Sequence, residues 1–244
     1  MPTDHLSTPT SSQVVDHQTL TRVHELLMAP NFPPEELIPV EDLVASVRAG
    51  VASVHVVGSR EDPVAVAVVE TLEGTPTVML AYFATRQDQR GRGVGSALLR
   101  ELLADITTQH PNTVVLAEIE HPDHHEPHPT HGDPAARLRF YLRLNGWILD
   151  VPYFQPPIDE GQEPVYGMLL LALDPPALLV KDGRLLRRAG LAEALETVTD
   201  AADPDLHPVD ELLRAAAAPE GVRLLGLDEL SKARVARSPR RPLH

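Results

Sequence analysis

The chain has 244 residues, of which 43% are hydrophobic and 23% charged, a composition typical of globular proteins. Its net charge of −14 disfavours nucleic-acid binding, because a nucleic-acid binder needs a basic surface, and the absence of cysteine excludes disulfides and thiolate metal sites. No apolar run reaches the ~20 residues of a membrane helix and the first residues lack the features of a secretory signal, so we expect a cytoplasmic protein that binds neither nucleic acid nor membrane.

In chain order, residues 1–17 lack periodicity and are predicted to be a flexible leader, followed by a main domain at 18–174. Hydrophobic patterns in that domain predict two helices, three closely spaced strands, a helix, a strand, a helix and two strands. The fold class is therefore mixed α/β, with a central, largely antiparallel twisted sheet flanked by helices. Residues 175–244 are predicted to be a helical extension of unknown role. The predicted strands are 51–57, 64–72, 77–85, 113–120, 147–151 and 165–173.

The glycine-rich segment RGRGVGS at 90–96 lies directly between a predicted strand and an amphipathic helix. Glycines allow a tight turn that brings backbone N–H groups close to an anion, and the helix N-terminus adds unpaired donors. The segment lacks the lysine of a Walker A loop and the third glycine of a dinucleotide-binding fingerprint. It fits the pattern R-x-x-G-x-G through Arg90, Gly93 and Gly95. A glycine-rich turn without a ligand is the alternative interpretation.

This motif resembles the coenzyme-binding turn of the GCN5-related N-acetyltransferase (GNAT) superfamily, and the order of elements extends the resemblance over roughly residues 18–174. The resemblance implies the GNAT fold and a turn that holds the pyrophosphate of acetyl-coenzyme A (acetyl-CoA) or another acyl-CoA. It also implies that the backbone N–H of Phe83 or Ala84 stabilises the oxyanion, while Arg86 is a further cation near the phosphates. The residues expected to bind the coenzyme are Phe83, Ala84, Thr85, Arg90, Gly91, Arg92, Gly93, Val94, Gly95 and Ser96.

A second motif lies at 133–147, where Tyr141 precedes the Gly146–Trp147 pair. The segment resembles the later helix of the same superfamily, which implies that the Tyr141 hydroxyl donates a proton to the departing thiolate. A thiol with a pKa of ~8.5 also leaves as the anion near neutral pH, so this donor helps without being indispensable. The alternative is an aromatic side chain that only packs its helix against the sheet.

Acyl transfer to an amine requires the neutral amine, which is scarce at pH 7 because an alkyl ammonium has a pKa of ~10.4. A general base would relieve this scarcity. Glu118 and Glu120 lie on one face of the predicted strand 113–120, at the end where the resemblance implies the acceptor site. Glu118 is the preferred base and Glu120 the second candidate. A loop histidine as the base, or two merely solvated acids, are the alternatives.

Five histidines occur between residues 121 and 131, interleaved with acidic residues and prolines. Their spacing matches no closed metal site, so a solvated loop is predicted and no metal is expected, while a contribution to the acceptor site stays open.

Taken together, the motifs predict an N-acetyltransferase that moves an acetyl group from acetyl-CoA to a primary amine of a small molecule or peptide. Direct attack in a ternary complex is expected, because the chain offers neither a cysteine nor an apparent Ser/His/Asp arrangement for a covalent intermediate. The alternative is a non-catalytic acyl-CoA-binding or interaction module with the same fold. The acceptor, the acyl-chain preference and a homodimer are left open.

Overall fold

The computed structural model describes residues 11–128, 132–157, 162–200, 202 and 208–238. Two compact units make up the chain. The first comprises Met1–Glu70 and Ala81–Asp105, and the second comprises Thr71–Leu80 and Ile106–His244. Two strands and one helix therefore begin in one unit and end in the other.

The first unit is built from a small antiparallel sheet and the helices that cover it. Strand β1 pairs with β2, and β2 pairs with β3, with Val54 opposite Val68 in the register. Its elements are β1 (Ser12–Val14), α1 (His17–Val23), α2 (Val40–Ala49), β2 (Ala52–Gly58), β3 (Pro63–Thr71), the end of β4 (Thr77–Thr85) and most of α3 (Val94–Gln109).

Local sequence signals explain where the first two helices begin and end. The Asp16 side chain accepts a hydrogen bond from the Thr19 backbone N–H at 2.9 Å, which caps the start of α1. Helix α2 ends at Gly50, which has a φ of +74°, a conformation that glycine adopts without steric cost. The apolar faces of both helices pack with β2 and β3 into one core that includes Leu20, Leu43 and Val54.

Residues 11–17 differ from the leader expected from the sequence. Ser12–Val14 forms strand β1, which pairs antiparallel with β2. Three residues are too few to display a period of two, so no hydrophobic pattern could have revealed this strand. Residues 1–10 lie outside the described part of the chain.

The second unit contains a seven-strand sheet segment in the order β4-β5-β7-β6-β10-β9-β8. Only β4 and β5 run parallel, and their pairing covers three residue pairs from Thr77–Val114 to Met79–Leu116. The remaining neighbours are antiparallel. The elements not yet given are β5 (Val114–Glu120), α4 (Pro134–Leu142), β6 (Gly146–Leu149), β7 (Met168–Leu173), β8 (Val180–Lys181), β9 (Arg184–Leu185), α5 (Leu191–Thr199), α6 (Val209–Ala216) and β10 (Val222–Leu225).

The predicted fold class is confirmed, since the sheet is mostly antiparallel and flanked by helices. Strand β7 is shorter than the predicted 165–173, because Gly167 adopts a φ of +72° and Val165 forms only an isolated bridge with Gln155. In the described residues, no helix combines the length and the hydrophobicity needed to span a bilayer.

The C-terminal extension contains two helices, α5 and α6, together with three strands that the sequence did not predict. Strand β10 pairs with β6, with Leu224 opposite Leu149, so the extension continues the sheet of the second unit. Each of these strands has only two to four residues, too short for a recognisable alternation. The extension shares a hydrophobic core with the preceding strands of this unit, because Leu170 of β7 and Leu195 of α5 belong to one buried cluster.

Candidate functional site

The predicted anion-binding turn lies in the first unit, between the end of β4 and the start of α3. Gly91 has a φ of +77° and Gly93 a φ of +82°, both in the region that favours glycine. A β-carbon at either position would have no heavy atom within 4 Å. These two glycines are therefore required by the backbone conformation, and the space in front of the turn is open.

Gly95 serves a different purpose in the same motif. A β-carbon here would lie 2.7 Å from Thr85 Oγ1 and 3.2 Å from Phe83 Cζ. Helix α3 therefore packs against β4 so closely that a side chain at position 95 would force those of Thr85 and Phe83 to move. By helix geometry, the N–H groups of Val94, Gly95 and Ser96 have no acceptor within α3, and the helix dipole places partial positive charge there.

The arginines around the turn have different partners. Arg86 forms an ion pair with Asp62 and another with Asp88, the latter at 2.7 Å, so its charge is already compensated. Arg90 donates from Nε to the Thr85 carbonyl at 3.3 Å and bonds the Asn31 side chain, which fixes its guanidinium beside the turn. Arg92 is exposed. The structure therefore leaves Arg90 and Arg92, rather than Arg86, as cations for a phosphate.

The strand residues before the turn alternate between two environments. Ala84 is buried in the core under α1 and α2, whereas the half-buried Phe83 extends toward Gly95 of α3. Their backbone roles in oxyanion stabilisation stay predictions.

Glu118 and Glu120 occupy the last part of β5 in the second unit, opposite Leu170 and Met168 of β7. Both side chains are half-buried. The period of the strand places them on the same face as Val114 and Leu116, which belong to the buried cluster of this unit. The two carboxylates therefore lie where an apolar face ends.

Glu118 accepts a hydrogen bond from the hydroxyl of Tyr153. Tyr153 is completely buried, and its pKa is raised well above the ordinary value by burial and by the charge and hydrogen bond of Glu118. The phenol therefore stays protonated and donates to the carboxylate. No sequence pattern indicated Tyr153, because it lies in a proline-rich connection 35 residues beyond Glu118 in the chain.

Glu120 has two weaker partners. Its Oε1 lies 3.8 Å from His125 Nδ1, and its Oε2 lies 3.6 Å from an Arg137 guanidinium nitrogen. Nε2 of His125 lies 2.8 Å from the Tyr166 carbonyl, which only an N–H at that position can satisfy. That bond leaves Nδ1 of the neutral ring without its proton, so a charged contact with Glu120 requires a protonated His125.

Tyr141 lies on α4 with 6% of its surface exposed. Burial raises its pKa to about 12, against the opposing effect of the nearby Arg137 charge. The hydroxyl is therefore a proton donor over the whole physiological range. Gly146 of the same motif is required sterically, because a β-carbon there would lie 2.7 Å from the Tyr141 carbonyl oxygen.

The histidine-rich loop is only partly a solvated segment. His121 is buried at 3% exposure, and its Nδ1 accepts a hydrogen bond from the Asp123 backbone N–H at 3.1 Å. Burial, with the nearby His124 and His125, lowers the pKa of His121. In the part of the chain that the structure describes, no group of three potential ligands could hold a metal. His131 lies outside the described residues.

Comparison with known proteins bears on the first part of this site. The family model described as "Acetyltransferase (GNAT) family" matches residues 20–128, which include β4, the turn and β5. Residues 20–128 therefore belong to the GNAT family. The resemblance on which the turn was interpreted is confirmed, and the domain boundary at 174 stays a prediction. No curated protein matches the sequence.

One solved GNAT structure shows the same fold, and others are similar in part. A GNAT-family protein from Bacteroides thetaiotaomicron is 22% identical, with a TM-score of 0.51 over 67% of this chain and 86% of that one. Escherichia coli ribosomal-protein-S18-alanine N-acetyltransferase is 15% identical, with a TM-score of 0.46 over 71% and 98%. Arabidopsis thaliana Naa50, in complex with a bisubstrate analogue, is 13% identical, with a TM-score of 0.47 over 68% and 98%. At 22% identity the likeness to the Bacteroides protein concerns the GNAT fold alone.

Proposed function

We propose that this protein is an N-acetyltransferase that moves an acetyl group from acetyl-CoA to a primary amine of a small molecule or peptide. The observation that carries the proposal is the turn at 91–96 within the matched family region. Gly91 and Gly93 adopt positive φ values, and Gly95 lies in close contact with β4. Together they expose the backbone N–H groups of the turn to an anion. A cytoplasmic location and a homodimer remain predictions.

The residues of the turn fit the diphosphate of the coenzyme. Its oxygens would accept hydrogen bonds from backbone N–H groups between Gly91 and Ser96, with Arg90 and Arg92 as charge partners. The open space at the Gly91 and Gly93 β-carbon positions leaves room for that approach. When bound, acetyl-CoA supplies the thioester carbonyl, and the backbone of Phe83 and Ala84 is proposed to bind the oxygen of that group.

Two side chains of the second unit are proposed to move protons. Glu118 accepts the proton of the attacking amine, and its contact with Tyr153 holds the carboxylate in one orientation. Tyr141 gives a proton to the sulfur that leaves, and its pKa of about 12 keeps the phenol in its donor form although it makes it a weak acid. Glu120 is the second candidate base, because its partners lie further away. Direct transfer is proposed, since the chain has no cysteine.

The test is release of free thiol from acetyl-CoA across a panel of amines, measured together with coenzyme binding by calorimetry. The expected result is turnover with at least one primary amine, and loss of both turnover and coenzyme binding in Gly93→Val. Binding of acetyl-CoA without turnover on any amine would instead identify a non-catalytic coenzyme-binding module. Absence of binding would overturn the assignment of the turn as well.

A further inference from the structure

A cleft of about 590 Å³ opens in the second unit, beside the end of β5 and the start of β7. It is lined by His124, Tyr166, Gly167 and the segment 233–238 of the C-terminal extension. This volume lies within the range of small-ligand sites in proteins. Glycine at position 167 allows the backbone to lie close to His124 at the bottom of the cleft, because a β-carbon there would lie 2.8 Å from that of His124.

The wall formed by segment 233–238 is held in place by several contacts. Val235 forms a parallel bridge with Tyr153, and Ala236 is buried in the core of the unit. The backbone N–H and the Nε of Arg234 both donate to Asp150 Oδ1 at 3.2 Å. These contacts anchor the extension, and they present the next side chain, Arg237, at the cleft.

Both candidate bases are connected to this cleft through one intervening residue. Glu118 accepts from Tyr153, whose backbone pairs with Val235 of the wall. Glu120 lies beside His125, whose Nε2 donates to the Tyr166 carbonyl. Neither carboxylate lines the cleft itself, so a ligand bound there must extend toward β5 for its amine to reach them.

The charged residues that line the cleft are all basic, although the whole chain has a net charge of −14. The Arg234 guanidinium is compensated by Asp150. Arg237 is exposed, and no ion pair of its own joins it to an acid within the described residues. The exposed ring of His124 adds a further polar group. The lining therefore disfavours a purely cationic ligand and favours one that carries an anionic group.

We propose that the acceptor is an amine that also carries a carboxylate, and that Arg237 binds this carboxylate within the cleft. The planar guanidinium matches a carboxylate with two parallel hydrogen bonds. That the amine is acetylated rests on the proposed function, whereas binding of the carboxylate by Arg237 does not depend on it. Arg237 is then a residue that determines specificity, contributed by the extension and not by the matched family region.

The experiment uses three dipeptides whose α-amines have similar pKa values, near 7.7–8.0. Alanylalanine carries a C-terminal carboxylate, alanylalanine amide carries none, and alanylaspartate α-amide carries a side-chain carboxylate. Thiol release from acetyl-CoA is measured for the full chain and for Arg237→Gln, Arg237→Lys and Arg143→Gln. Arg143 is an exposed arginine at the end of α4 and serves as the charge-matched control.

The expected KM of at least one carboxylate peptide is about fivefold lower than that of alanylalanine amide, as for an exposed ion pair. Which of the two carboxylate peptides is preferred shows where the acceptor carries its charge. Arg237→Gln should remove the difference, Arg237→Lys should retain part of it, and Arg143→Gln should leave it unchanged. Turnover with equal KM values, unaffected by Arg237→Gln, would overturn the inference and leave the proposed function intact.

No turnover with any amine would count against the proposed function, and binding then decides the inference. Calorimetric titration of the same peptides, without acetyl-CoA, should still show tighter binding of a carboxylate peptide in the original chain than in Arg237→Gln. Equal binding by the two proteins would overturn the inference.

Discussion

The anion-binding turn of the first unit and the carboxylate pair of the second are built by opposite means. The turn is made of backbone, and its three glycines act within six consecutive residues. The carboxylate pair depends on partners far away in the chain, because Glu118 bonds Tyr153 and Glu120 lies beside Arg137. One site is encoded locally, and the other is assembled by folding.

This difference determines what each site tolerates. In the turn, most side chains can change as long as the backbone keeps its conformation. In the carboxylate pair, Glu118 is held by the buried Tyr153, so that even its isosteric replacement by glutamine alters the chemistry. Substitutions at the two sites should therefore affect different quantities: coenzyme affinity for the turn and turnover for the carboxylates.

The largest expected effect is that of Glu118→Gln, which keeps the shape of the side chain and removes its basicity. We expect kcat to fall by about 100-fold or more, the typical contribution of a general base. The matched variant Glu120→Gln should lower kcat by less than about tenfold. Steady-state kinetics with acetyl-CoA and an accepted amine measure both. A larger loss in Glu120→Gln would transfer the role of base to Glu120.

The next effect compares two glycines in the left-handed region. Gly93 and Gly74 have φ values of +82° and +75°, and neither has a heavy atom within 4 Å of its β-carbon position. Replacement by alanine should therefore cost each about 1 kcal/mol of unfolding free energy, measured in urea. Only Gly93→Ala should raise the Kd of acetyl-CoA, by about tenfold, because its methyl group occupies the space proposed for the diphosphate. If Gly93→Ala and Gly74→Ala bind acetyl-CoA with the same Kd, the turn does not bind the coenzyme.

The sequence predicted the turn and the longer strands because their signals are local. The glycine pattern at 90–96 and the seven- to nine-residue strands β2 to β5 carry their own periodicity or punctuation. The strands of the extension have two to four residues, too few for a recognisable alternation, and β10 pairs with a distant strand, β6. The hairpin of β8 and β9 does carry a local signal, because Asp182 and Gly183 form its two-residue turn with φ values of +50° and +69°.

The same limit applies to the partners within the candidate site. Glu118 could be placed on the correct face of a strand by its period of two, but its hydrogen bond to Tyr153 crosses a proline-rich connection. The proximity of the extension to the cleft depends on the Tyr153–Val235 bridge, which joins residues 82 positions apart. The carboxylates could accordingly be predicted from the sequence, whereas the role of the extension could not.

A smaller effect is expected for Tyr141→Phe. We expect kcat to fall by about three- to tenfold, since the thiolate leaves without assistance to a large extent near neutral pH. Because the pKa of Tyr141 is about 12, its donor form persists at every pH below that value. The ratio of kcat values between the original chain and Tyr141→Phe should therefore stay constant from pH 6 to pH 10. A ratio that declines toward pH 10 would indicate a donor with an ordinary phenol pKa.

The smallest effect concerns the stability of the protein and the buried His121, which directly follows Glu120. Burial, assisted by His124 and His125, lowers the pKa of His121 below its unfolded value of 6.5, so the unfolded chain binds more protons in this range. The free energy of unfolding should therefore decrease as the pH falls through 6.5 and toward the lowered pKa.

His121→Asn keeps an acceptor for the Asp123 N–H and removes the titration. Urea midpoints at pH 7.5 and 5.5 should differ less in this variant than in the original chain, whereas the exposed control His110→Gln should retain the full difference. If His121→Asn has the same pH dependence as the original chain, the protonation of His121 does not limit stability, and the acid sensitivity must come from other groups.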